Sequence, residues 1–440
     1  GLFGGNVTLK SVGDVLLDNG LEINVRGGGG GNITINAQNV NLLNASKLRA
    51  GIASGLGTPE AQAGDITINA TGSVAIANDS FIANVVQMDS IGNAGSIEIT
   101  IGSLILTDGG QIAASTFGQG NAGTIKITAS ETISIAGEDS EGNVSGIFSQ
   151  VASTAEGNSG GIEITTGSLS LTDGAQLNAS TFGVGDAGSI FVRADGSVAL
   201  VDSNIFNNVE SGAVGNAGGI FITAQSLFLK EGSQLQSGIR GVSDTLSGGR
   251  GNGGNVSINV RDTLSLTGVD NNGLSSAIFT DVESGAVGNG GNIKLKAGML
   301  SLADDAQLNA STSGVGNAGG IEISTGSLFI ADGAVVNAST FGKGDAGTIK
   351  ITASETISIA GEDSEGNVSG IFSTVRETGE GNSGGIEIST GSLFLVDGAV
   401  VNASTFGRGN AGTIKITARE VISLYGLDSN RLGSYIRSQV

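Results

Sequence analysis

One turn-and-strand motif, Gly-Asn-Ala-Gly-x-Ile-x-Ile, recurs along almost the whole chain and limits its fold more than any other feature. Clear copies lie at Gly92–Ile99, Gly120–Ile127, Gly157–Ile164, Gly185–Val192 and Gly215–Ile222. Six more follow at Gly251–Ile258, Gly288–Leu295, Gly316–Ile323, Gly344–Ile351, Gly381–Ile388 and Gly409–Ile416. Weaker copies at Val7, Ile33 and Ile66 bring the number to 14, spaced 26 to 37 residues apart. Periods of that size mark solenoids, propellers or arrays. A longer duplication overlies the short one: Ala122–Ser149 and Ala346–Ser373 are identical, 224 residues apart. Such copying suits a chain in which each unit touches only its neighbours.

Inside one unit the apolar residues alternate with period two. Ser96–Ile99, Ser103–Leu106 and Gln111–Ala114 each read as a short strand, with Gly-rich turns between them. Three strands per unit predict one rung of a parallel β-helix. A WD40-type propeller would need four strands per blade and an aromatic signature, and helical repeats would need 3.6-residue periodicity. The composition agrees: 77 glycines punctuate the strands, while a single Pro among 440 residues argues against a disordered linker. The expected fold is therefore all-β, a β-solenoid of about 14 three-stranded rungs of 28–37 residues. It should run as one continuous domain over 1–440, with divergent rungs in 1–91 and regular rungs in 92–440.

Several functions are excluded at once. The chain has no His and no Cys, which removes Ser-His-Asp and Cys-His catalysis, disulfides and zinc fingers. Lys plus Arg number 20 against 41 Asp plus Glu, a formal charge of −21, so the basic footprint needed for nucleic acid or anionic lipid is missing. No run of apolar residues reaches the length of a membrane-spanning helix.

If rungs stack in register, equivalent residues form columns. The second motif position gives Asn93, Asn121, Asn158, Asn216, Asn252, Asn289, Asn317, Asn382 and Asn410, with Asp186 and Asp345 in the same column. It reads as a structural Asn ladder, since Asn tolerates left-handed backbone and its amide can bond to its neighbours; a carbohydrate or metal column is the alternative. The outward residue of the first strand runs Glu98, Lys126, Glu163, Phe191, Phe221, Ser257, Lys294, Glu322, Lys350, Glu387 and Lys415. Its charges alternate in sign, as in-register pairing favours. Phe191 and Phe221 interrupt it, and with Phe228 they form a candidate contact patch, or else scattered exposed rings. Asp173, Asp202, Glu231, Asp304 and Asp332 make an acidic column of turn residues. The longest rungs add acidic loops, Glu138–Asn143 and Glu362–Asn367, in which Asp139, Glu141, Asp363 and Glu365 are candidate Ca²⁺ ligands or simply a solvated turn. No other cofactor is expected.

β-Helices also include polysaccharide lyases and hydrolases, whose chemistry needs carboxylates converging in one groove. Here the carboxylates are spread by the repeat. The clearest break, Ser237–Gly254 with Arg240, Asp244 and Arg250, carries no aromatic subsites. The expectation is a structural chain and not an enzyme, with a carbohydrate-binding or polysaccharide-degrading β-helix as the alternative.

The repeat, followed by Gly-Ser-Leu-x-Leu-x-Asp-Gly-Ala and Asn-Ala-Ser-Thr-Phe-Gly, resembles filamentous-haemagglutinin-type exoproteins of the two-partner-secretion group, most of all their cyanobacterial members. The likeness is clearest from Gly92 to Ile416. It implies a right-handed helix, export through an outer-membrane secretion partner, and a secreted or cell-surface fibre acting in adhesion, filament or biofilm-matrix formation, with surface glycans among its partners. The final residues track Ser134–Gly137 and Ser149–Val151, so the chain is expected to be a segment of a longer repeat protein and to self-associate end to end or laterally.

Overall fold

The computed structural model describes residues 2–440, which form strands, turns and bends with no α-helix among them. No helix is long and apolar enough to cross a membrane. The chain divides into two compact units, Gly1–Phe221 and Ile222–Val440, and each is a parallel β-helix.

In the first unit a regular rung carries the strands Ile97–Ile101, Ser103–Thr107 and Gln111–Ala113. Each pairs in parallel with its counterpart in the next rung: Ile97 with Ile125, Leu104 with Ile133, and Ile112 with Ile147. The pleat sends alternate side chains to opposite faces, so Ile97, Ile99, Leu104, Leu106 and Ile112 are wholly buried. Because Ile or Leu stacks on its own equivalent, a one-residue slip would carry a whole set of apolar side chains to solvent. Continuous ladders also exclude Pro, which has no N–H to donate. The single Pro, Pro59, sits in Gly57–Gln62, a strand of a two-stranded side sheet paired with Ile91–Asn93.

The second unit repeats the design. Its first-strand column runs Val256, Ile293, Ile321, Ile349, Ile386 and Ile414, paired residue to residue. Ile278, Leu308, Val336, Ile371 and Val401 form the buried third-strand column. One detail departs from three separate strands. Ile293–Leu302, Ile321–Ala331, Ile386–Val396 and Ile414–Tyr425 each run through the first corner without a break. A single corner residue such as Gly326 keeps extended geometry there.

The Gly-Asn-Ala-Gly corner has a steric explanation. Gly120 holds φ at +132°, and a Cβ there would overlap the carbonyl oxygen of Gly92 one rung below. A Cβ on Gly123 would overlap the carbonyl oxygen of Gly95. Both obstacles are backbone, so neither can rotate away. Between them Ala122 is buried, where only a small side chain fits, and Asn121 faces solvent. The four-residue motif is thus the imprint of two backbones passing at closest approach.

Candidate functional site

The exposed columns are where this chain can meet a partner, and most of their polar groups are already paired. In the Asn column the side-chain oxygen of each residue accepts a hydrogen bond from the backbone N–H of the next. Asn121 N–H donates to Asn93 Oδ1 at 3.0 Å, Asn158 to Asn121 at 2.9 Å and Asp186 to Asn158 at 2.8 Å. In the second unit the series runs from Asn252 through Asn289, Asn317, Asp345 and Asn382 to Asn410. Amide-to-side-chain bonds add to it at Asn382–Asp345 and Asn410–Asn382. Left-handed backbone, expected for these Asn residues, lies instead on the preceding glycine. The Asn acts through its side-chain oxygen, which bridges one rung to the next.

The charge column is in register as drawn: Glu98 faces Lys126, and Lys126 faces Glu163. In the second unit Lys294, Glu322, Lys350, Glu387 and Lys415 follow one another. Lys294–Glu322 and Lys415–Glu387 close to 3.1 and 3.2 Å, and Lys126–Glu98 to 3.9 Å. At about half exposure such pairs add at most ~1 kcal/mol each; they select register more than they stabilise. Phe191 and Phe221 stack with centroids 4.8 Å apart and planes 12° from parallel, and Phe191 is 46% exposed. Phe228 belongs to the second unit, where the Lys230 ammonium lies 5.8 Å from its ring centre.

The acidic loops prove to be small hairpins. Glu138 and Val144 form an antiparallel bridge, as do Val269 and Ser275, Glu362 and Val368, and Leu427 and Gly433. The Asp139 carboxylate accepts from the N–H of Glu141 and Asn143 and from the Asn143 side chain, at 2.8–2.9 Å. Asp363 is held in the same way by Glu365 and Asn367. The Asn143 bonds hold the Asp139 carboxyl below its ordinary range. Both carboxylates are therefore occupied by their own loops, and Glu141 and Glu365 lie on the exposed hairpin tips. Among the described residues no three carboxylates converge in a way that could hold a metal ion.

Each hairpin Asp also packs on the rung before it. Gly109, Gly232, Gly333 and Gly398 face Asp139, Asp270, Asp363 and Asp428, and a Cβ on any of these glycines would come within 2.6–3.0 Å of the Asp Cβ. The same turn position accepts Asp79 and Asp305 at similar positive φ, so it is the hairpin, not the dihedral, that demands Gly. The N–H of Gly109, Gly232 and Gly333 is taken up by buried Ser145, Ser276 and Ser369, each at 3.1 Å.

Two carboxyls with displaced pKa values were not singled out by sequence. Asp305 is pushed up to about 6 by burial, by its hydrogen bond with Asp363 and by that neighbour's charge. Burial also works to raise Asp363, but bonds from Asn367 and Asp305 outweigh it and hold Asp363 down at about 2. Between those two values the pair holds one proton, on Asp305. The signal was Asp-Asp at 304–305 where other turns have Asp-Gly. At the break in the repeat, Arg240 pairs with Glu283 at 2.6 Å and Gly241 N–H donates to Glu283 at 2.7 Å. The adjacent half-buried Asp281 is pushed up to about 7, first by desolvation and then by Glu283, against the opposing charge of Arg240. Within the second unit Asp281 stands in a column continued by Ser311 and Ser339. Of the other charged residues at the break, Asp244 is exposed and Arg250 bridges to Val287.

Comparison with family models, with curated proteins and with solved structures gave no match.

Proposed function

We propose that the protein is an extracellular structural and adhesive fibre protein of the filamentous-haemagglutinin type, exported by an outer-membrane partner and active in surface adhesion, filament or biofilm-matrix formation, without catalysis. The observation that carries this reading is the pairing of the outward polar groups from rung to rung. The Asn ladder, the Glu/Lys column and the hairpin carboxylates all have partners supplied by the repeat. A surface made that way presents a uniform lattice rather than a converging set of reactive groups. Exposed rings on the same lattice, Phe191 and Phe221 in the first unit and Phe228 in the second, offer apolar footholds for lateral self-association. Surface glycans remain a fitting partner class, and Ca²⁺ would act only as a surface counter-ion.

The test follows the purified chain by light scattering against concentration, together with its retention on polysaccharide-coated surfaces and release of new reducing ends. Association or retention without cleavage supports the reading. Release of reducing ends, or a chain that neither associates nor adheres, overturns it. Substituting Phe191→Ser, Phe221→Ser and Phe228→Ser should abolish lateral association; unaltered association would remove the Phe patch from the account.

A further inference from the structure

The divergent rungs of the first unit carry a feature that no repeat supplies. Their third strands stack Glu22 on Lys47 and Asn24 on Arg49; Phe81 and Ala83 follow, then Gln111 and Ala113. Arg49 and Lys47 lie over the Phe81 ring, 4.9 and 5.3 Å from its centre. Beyond Arg49 the column falls to alanine twice, and the missing side-chain volume opens a hollow of about 260 Å³ walled by Arg26, Arg49, Phe81, Gln87, Gln111 and Phe117. No carboxylate lines it. Two adjoining hollows of about 300 and 400 Å³ share Phe117 in their walls and extend the groove past Met88 to Gln119 and Thr154; Asp89 lies only at that far end.

The charge at the near end is anomalous for this chain. Arg26, Lys47 and Arg49 gather there, while the whole molecule holds 20 basic residues against 41 acidic. One carboxylate answers them: Glu22 Oε1 lies 3.4 Å from Arg49 Nε and 3.9 Å from Arg26 Nη2. The same oxygen also accepts from Asn24 Nδ2 at 2.9 Å. The two guanidinium side chains are only 18% and 26% exposed, so their charge is poorly hydrated. Burial and the charge of Arg49 both hold Arg26 below its ordinary range, with Glu22 opposing. Under-compensated, partly desolvated guanidinium groups favour an oxyanion, carboxylate or sulfate, whose oxygens can bond to both. The groove crosses several rungs, which suits a linear chain, and its flat Phe81 and Phe117 rings with the Gln87 and Gln111 amides suit sugar faces and hydroxyls.

We propose that this groove binds an acidic polysaccharide, with a carboxylate or sulfate seated at Arg26 and Arg49 and successive sugar rings running past Phe81 toward Phe117. The proposal deepens the adhesive reading and rests on it, giving that reading a ligand class and a place.

Calorimetric titration of the full chain with an oligouronate, a sulfated glycosaminoglycan, neutral dextran and poly-Glu tests it. Binding of either anionic saccharide that weakens with salt, with dextran silent, is expected; the stronger of the two identifies the anion. Arg26→Gln with Arg49→Gln should weaken it about tenfold or more, the loss that one charge-assisted contact of ~1.4 kcal/mol implies. Phe117→Ala, at a 42% exposed ring, should weaken it without touching the charges or the core, and guards against misfolding of the double variant. Poly-Glu binding as tightly as the saccharides would make the ligand a peptide and overturn the proposal. So would no binding, or binding indifferent to both variants. Light scattering of the double variant should equal that of the parent chain, so a failure of this groove is distinct from a failure of the fibre reading.

Discussion

Four threonines sit where the fold wants valine, and replacing them should stabilise the protein. Thr116 and Thr181 alternate with Val86, Val151 and Val209 in one buried column of the first unit, and Thr312 and Thr340 stand beside Val282 and Val375 in the second. All four are fully buried, and none of their hydroxyls has a hydrogen-bond partner. A buried hydroxyl without a partner forfeits its hydration, a cost of about 1–3 kcal/mol. Valine has nearly the same shape and β-branching, and the neighbouring valines show that it packs there without strain. Each Thr→Val change should therefore gain about 1–2 kcal/mol. Sites in different units should add, whereas Thr312 and Thr340, in adjacent rungs, couple through shared contacts. Thr405 is the internal control: it occupies the same column, but its hydroxyl donates to the Asn410 carbonyl at 2.8 Å. Thr405→Val should be neutral or cost up to about 1 kcal/mol. Urea unfolding followed by far-UV circular dichroism measures the shift in midpoint. The reasoning fails if Thr116→Val and Thr340→Val lower the midpoint, or if Thr405→Val raises it equally.

Three further outcomes follow from the same geometry. Gly120→Ala sets a Cβ against the fixed carbonyl of Gly92 at φ +132°, and should cost at least ~3 kcal/mol. Limited proteolysis should open the chain near that corner, and an unchanged digestion pattern would refute the close approach. Asp305 keeps its proton to about pH 6 in the fold but only to about 3.8 when unfolded. The stabilisation is thus full below pH 4 and lost as pH rises through 6. Asp305→Asn, which keeps the donor to Asp363, should flatten that decline in urea midpoints between pH 4.5 and 7 (roughly the window of the shift); a variant with the parental pH slope contradicts the shared proton. Glu322→Lys places like charges against Lys294 and Lys350 and should cost about 0.5–1 kcal/mol at low salt, with most of the loss recovered at high salt. A loss insensitive to salt would mean that the column does not work by charge.

The fold could be read from the chain because the repeat writes it many times over. The alternation in Ile97-Glu98-Ile99 fixes the faces of a strand, and the same alternation in Ile125-Lys126-Ile127 fixes the register. The charge signs then check that register independently. What could not be read were interactions whose two halves lie a full rung apart with no shared motif. Asn121 was legible in part: the ladder to the neighbouring rung follows from the repeated motif, but not that the left-handed backbone belongs to Gly120. The glycine at 109 is explained by a hairpin that begins some thirty residues later. The acidic loops offered oxygens in plenty, but sequence does not say that Asp139 folds back on Asn143. Asp281 was hidden because a column of small polar residues gives no warning of a carboxyl. The basic groove was the least legible: Arg26, Arg49 and Phe81 belong to three divergent rungs where the repeat is faintest, and only Phe117 lies in a regular one.

The central claim, that successive rungs lie in parallel register with their outward residues in columns, is tested most directly by cysteine cross-linking in a chain that has no native Cys. Glu322 and Lys350 are register partners, and Thr352 lies two residues further along the same strand face. In-register Cα atoms lie about 4.8 Å apart, within the ~4.4–6.8 Å that a disulfide spans, whereas the diagonal pair lies at roughly 8 Å. Glu322→Cys with Lys350→Cys should therefore oxidise to an intramolecular disulfide, and Glu322→Cys with Thr352→Cys should stay reduced under the same conditions. Cross-linking of the second pair in preference to the first would contradict the register, and with it the columns on which the functional reading stands.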